Sequence, residues 1–137
     1  MTPSLHRRLL RAAVALAALV PVSAGLVGVM LGPAMLPGAA LGLEAAGAPA
    51  DSHYRYLSGL LLGIGLAFWW MLPAIERQGK RFRLLGFVVV VGGVGRLIGL
   101  GVQGDPGLAG WLALAMELGV TPLLCLWQWH VERVSAA

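Results

Sequence analysis

Two ionisable residues interrupt stretches that are otherwise apolar: Arg96 in FVVVVGGVGRLIGLGVQ and Glu117 in LAGWLALAMELGVTPLLCLW. A guanidinium offers a planar fork of donors and a carboxylate accepts two of them, so the two residue types can make a bidentate ion pair. Separately, the arginine can hold an anion and the glutamate can carry a proton. In lipid each charge costs at least ~2.5 kcal/mol, so each needs a partner or water. Arg55, in HYRYLSGL, is a third candidate, with His53, Tyr56, Gln103 and Asp105 as a polar rim. The pattern thus points to a buried polar cluster of Arg55, Arg96 and Glu117 that serves as a ligand or proton site, or only as a register-fixing ion pair.

Other chemistry finds no support in the sequence. The single cysteine, Cys125, excludes an intramolecular disulfide and a cysteine-based metal site. His6, His53 and His130 fall at different segment ends and are expected on opposite sides, so no metal site is expected, and no HExxH or GxxxxGK[ST] pattern occurs. Ser23, Ser52 and Ser58 lack a base, and no nucleophile elbow is present. No cofactor is expected, and an enzyme is the less favoured class.

The elements that must carry these residues follow from composition. The chain has 137 residues, of which 58% are hydrophobic and only 12% charged. A soluble domain of this size has too large a surface for its volume to hide so much apolar area, so the helices must be solvated by lipid. Four apolar runs, at about 9–31, 53–72, 83–103 and 108–129, are each long enough to cross a hydrocarbon core of ~30 Å at ~1.5 Å per residue. They predict an all-α fold: one transmembrane domain over 1–137, a four-helix bundle with antiparallel up-down connections. The segment 32–52 is rich in Pro, Gly and Ala, holds two acids and no Lys or Arg, and reads as an outer loop with a short turn near Ala39–Ala46. Residues 73–82 read as a cytoplasmic loop, and Gly104-Asp105-Pro106-Gly107 as a tight turn.

The net charge of +4 is a topology signal rather than a nucleic-acid footprint, because eight of the ten basic residues lie before or at the start of the first run, between run two and the start of run three, or after run four. Both termini are therefore expected in the cytoplasm, across a bacterial-type inner membrane. Trp69, Trp70, Phe82, Trp127 and Trp129 would mark the cytoplasmic interface, and Tyr54, Tyr56 and Trp111 the outer one. A secretory signal cleaved near Ala24 is the alternative for the first run, although apolar residues continue through Leu31.

Within this frame Arg96 and Glu117 lie ~10 and ~13 Å inward from the same outer face, so antiparallel neighbours bring them level. Gly92, Arg96, Gly99 and Gln103 share one face of the third helix, and Gly110, Leu114, Glu117, Thr121, Leu124 and Gln128 one face of the fourth. Both faces are expected to look into the bundle. Small-xxx-small spacing at Ala24/Gly28/Gly32, Gly59/Gly63 and Gly95/Gly99 supplies candidate helix contacts.

HYRYLSGLLLGIGL, Glu76-Arg77-x-Gly79 with Phe82-Arg83, the glycines before Arg96-Leu97, Gly104-Asp105-Pro106 and Met116-Glu117-Leu118 occur in this order. The set resembles the small bacterial four-helix membrane proteins grouped as domain-of-unknown-function family 4345, DUF4345, over roughly Leu9 to Trp129. The resemblance implies a four-span inner-membrane protein without an established activity, and it marks Arg55, Arg96 and Glu117 as positions to test. Three functions follow in order. The first is a non-enzymatic binding or accessory component. The second is a small proton-coupled or anion/drug transporter, which lacks an inverted repeat and a visibly broken span. The third is a lipid- or quinone-linked enzyme subunit resembling DoxX-like proteins. Expected partners are membrane lipids and a second copy or another membrane protein, with no nucleic acid.

Overall fold

The computed structural model describes residues 3–35 and 47–136. Helix α1 covers Pro3–Leu31 and leads into a 3-10 turn, Gly32–Met35. Helix α2 covers Gly47–Met71, a 3-10 segment covers Leu72–Arg77, and α3 covers Gly79–Gln103. Helix α4 covers Gly107–Leu114, a π-helical turn Ala115–Val120, and α5 Thr121–Ala136. The last three are consecutive, so the described residues hold four helices long and apolar enough to cross a membrane.

Every span exceeds the apolar run that marks it. Helix α2 begins at Gly47, so 47–52 is helix rather than the end of an outer loop, and α3 begins at Gly79, inside the expected loop 73–82. Likewise α1 starts at Pro3 before its arginines, and α5 passes Trp129 to reach Ala136. Hydropathy locates the part of a helix that sits in hydrocarbon. The backbone hydrogen bonds that make the helix continue into the polar layer, and Arg, Lys and Glu are good helix formers there. The turn expected at Ala39–Ala46 lies outside the described residues.

Contacts group the residues into two compact units: Ala15–Trp70, and the stretch up to Val14 together with Met71 onward. In the first unit α1 lies close to α2 at glycines. A Cβ on Gly25 would fall 2.5 Å from the Leu62 nitrogen, one on Gly28 would strike Ser58 Oγ, and one on Gly65 would fall 2.6 Å from Val22 Cγ2. Gly59 makes only an ordinary 3.9 Å approach to Val29, and Gly63 faces nothing within 4 Å. Of the three small-residue spacings, the α1 one is therefore the contact, shifted to include Gly25.

The second unit is built on a different repeat. Gly79, Gly86 and Gly93 recur every seven residues on α3 and sit opposite Glu132, Cys125 and Leu118, which recur every seven in the opposite sense. A seven-residue period keeps one face of a helix against its neighbour at a small crossing angle. Phe82, Ile75, Leu10, Val14, Met71, Leu114 and Val131 fill the interior of this unit. Gln128 is wholly buried among them.

Candidate functional site

Glu117 owes its setting to Pro122. A proline five residues on lacks the N–H that an α-helix would give to the Leu118 carbonyl, and its ring crowds that carbonyl. The chain answers with the π-helical turn Ala115–Val120, in which the Thr121 N–H reaches back to the Met116 carbonyl. The Thr121 hydroxyl donates to the same oxygen at 2.9 Å. The extra residue in the turn carries Glu117 on the side of α3. There Gly93 makes room: a Cβ on it would fall 2.9 Å from Glu117 Cβ and 2.7 Å from Leu118 Cδ2.

Arg96 completes the site. Its Nε donates to Glu117 Oε2 and its Nη2 to Oε1, both at 3.0 Å, which is the parallel two-bond geometry of a strong guanidinium–carboxylate pair. The carboxylate is the more enclosed partner, with side-chain exposure of 18% against 42% for the arginine. Two N–H groups of Arg96 are engaged by Glu117, and a guanidinium carries five.

The faces that present the pair differ from expectation on α3 alone. Gly110, Leu114 and Gln128 are buried and Glu117, Thr121 and Leu124 partly so, as an inward stripe requires. Gly92, Arg96, Gly99 and Gln103 are exposed, and a Cβ on Gly92, Gly95 or Gly99 would meet nothing within 4 Å. The reason is rotational. The packed face of α3 runs through Gly79, Gly86 and Gly93, and Arg96 stands at its border, reaching across with its long side chain.

The other candidates sit as follows. Arg55 belongs to the Ala15–Trp70 unit, where its Nε donates to Asp51 Oδ2 at 2.8 Å and its Nη1 to the Val29 and Met30 carbonyls, the latter at 3.0 Å. These are among the last carbonyls of α1, so the arginine caps that helix end. Gly32, at φ +63°, turns the chain beside Asp51 and Arg55. His53 and Tyr56 are exposed on α2. Asp105 Oδ1 accepts from the Gly107 N–H at 2.9 Å and from Trp111 Nε1 at 3.0 Å, closing the turn between α3 and α4. Gln103 is exposed at the end of α3.

A second polar assembly, at the opposite end of the same unit, was not singled out from the sequence. Glu76 is 13% exposed and faces Arg7 at 3.6 Å and Arg11 at 3.3 Å, while Arg11 also donates to the Pro73 carbonyl. Arg83 donates to Glu132 Oε2 at 2.8 Å and to Gln128 Oε1 at 3.2 Å, and Gln128 Nε2 donates to the Ile75 carbonyl at 3.1 Å. His6 and His130 meet edge to face with centroids 5.4 Å apart. These two histidines, from different segment ends, are neighbours because the start of α1 packs in the same unit as α5. Among the described residues no group of three or more His, Cys, Asp or Glu is arranged to hold a metal ion. The usable signal was Gln128 and Glu132, four apart on one helix face, with Glu76 set among arginines.

The family model for the domain of unknown function DUF4345 matches residues 9–128. The chain belongs to this family. It is also similar to the putative multidrug resistance protein MdtD of Enterobacter sp. (strain 638), at 33% identity over 87 residues. That match covers 61% of this chain and 18% of the relative, so the chain spans under a fifth of that protein's length. No solved structure matches. With four helices of spanning length and composition, the chain is a multi-pass membrane protein.

Proposed function

We propose that this protein is a non-enzymatic binding component of a bacterial-type inner membrane that holds a small anionic group at Arg96, with Glu117 as the counterion which the ligand displaces. The observation that carries this reading is the bidentate Arg96–Glu117 pair within two apolar spans, with its arginine open on one side. An intramembrane ion pair is expensive to keep without use, and an arginine there is an anion receptor held in check by a carboxylate. Exchange of one anion for another costs less than creating a bare charge. The basic residues gathered at one end of the helices support cytoplasmic termini.

The test uses the full chain in lipid nanodiscs and a spin-labelled long-chain carboxylate. The probe binds the wild type, binds Arg96→Leu at least tenfold more weakly and binds Glu117→Gln more tightly, since the competing anion is gone. Unaltered binding by Arg96→Leu ends this reading.

A small proton-coupled transporter is the second reading, favoured by the π-helical turn, which shifts the hydrogen-bond register of the continuous fourth span where the glutamate sits. Turns of π-helix inside α-helices occur frequently at functional sites. The local similarity to a putative multidrug resistance protein points the same way. Proton-coupled flux in proteoliposomes that disappears in Glu117→Gln supports it; flux that persists excludes it.

A further inference from the structure

The opposite end of this unit carries a charge imbalance that the protein does not resolve. All basic residues except Arg55 and Arg96 gather there, eight in number, against two carboxylates, Glu76 and Glu132. Both carboxylates are already engaged, Glu132 by Arg83 and Glu76 by Arg7 and Arg11 together. Arg7 and Arg11 are four residues apart, so they stand on successive turns of one face of α1. Arg7 reaches Glu76 only at 3.6 Å, beyond hydrogen-bond range, and its side chain stays 41% exposed. The Nε atoms of both arginines are buried without an acceptor, so an outside anion meets the remainder of each fork, on side chains that are 41% and 34% exposed.

We propose that Arg7 and Arg11 form a clamp for the phosphodiester of an anionic phospholipid headgroup. The first helix of spanning length and composition begins at Ser4, so Arg7 and Arg11 stand one to two turns from its end, from which long side chains reach the headgroup layer. The same helix turns Leu9, Leu16 and Leu19 outward, so lipid is its solvent and the anion within reach is one attached to acyl chains. A guanidinium fork fits two phosphate oxygens as it fits a carboxylate. Glu76 sets the spacing of the two forks, and the headgroup supplies the second negative charge that a pair of arginines around one carboxylate requires.

The experiment is native mass spectrometry of the full chain released from vesicles with equal parts of phosphatidylglycerol and phosphatidylcholine. Phosphatidylglycerol is retained over phosphatidylcholine in the wild type, and that preference falls about tenfold in Arg7→Gln, more than the roughly fivefold expected from loss of one diffuse surface charge. Arg7→Lys, which keeps charge and loses the fork, shows an intermediate preference, while Arg8→Gln, exposed one residue away, retains most of it. Equal losses in Arg7→Gln and Arg8→Gln reduce the effect to general surface charge and overturn the clamp. So does displacement of the lipid by inorganic phosphate at matching concentration, which assigns the site to a free anion. Thermal melting of each variant accompanies the measurement, and Arg7→Lys carries the test if Arg7→Gln fails to fold.

Discussion

The Arg96–Glu117 pair and the assembly around Glu76 and Glu132 lie in one unit and use the same two residue types, yet they answer to different solvents. Among the described residues the pair within two apolar spans is a simple one, in which one carboxylate takes two of the arginine's N–H groups through bonds of 3.0 Å. The assembly at the basic end spreads three arginines, two glutamates, a glutamine and two backbone carbonyls over α1, the 3-10 segment, α3 and α5. In hydrocarbon a charge has no alternative partner, so loss of one member leaves an uncompensated ion. At the interface water and headgroups substitute for a lost partner, so each bond there counts for less.

Substitutions can sharpen or break this contrast. The largest effect is expected for Arg96→Leu or Glu117→Leu, each lowering unfolding free energy in detergent by roughly 2–4 kcal/mol, with the double variant recovering part of the loss. Additive losses would mean that the two side chains do not support each other. Next comes the glycine beneath the pair: Gly93→Val should cost roughly 1–3 kcal/mol by pushing into Glu117 and Leu118, whereas Gly92→Ala, facing open space, should leave the melting temperature unchanged. Equal responses at the two positions would place the packed face of α3 elsewhere. Gln128→Leu, which removes a buried acceptor of Arg83 and leaves the Ile75 carbonyl only its long 3.4 Å bond from the Gln78 N–H, should cost about 1–3 kcal/mol. The smallest effect is expected for Arg7→Gln, under about 1 kcal/mol, because its ion pair is long and half exposed. A loss there as large as at Arg96 would erase the distinction between the two regions.

The pairing of Arg96 with Glu117 was legible because depth follows from residue count, and two charges at equal depth on antiparallel helices have few alternatives. The π-helical turn could have been suspected from Thr121-Pro122 within the fourth run, since proline must displace an α-helical bond somewhere. The partners of Arg55 were not legible: Asp51 falls in a stretch whose composition reads as a loop, and the carbonyls of Val29 and Met30 carry no sequence signal. The same holds for Gln128, whose role depends on a main-chain oxygen of Ile75 brought close by packing.

Sequence by itself determined the number of spans, their order and the level of the two charges, because hydrophobic length and helical rise are properties of single segments. Tertiary structure alone decided which face of each helix is used. Glycines occur on nearly every face of α3, and only the approach of α5 and the π-helical turn selects Gly79, Gly86 and Gly93 as the seam and leaves Gly92, Gly95 and Gly99 outside it. The rotation of a helix about its axis is fixed by the shape of its neighbour, and in lipid no hydrophobic difference between faces can announce it beforehand.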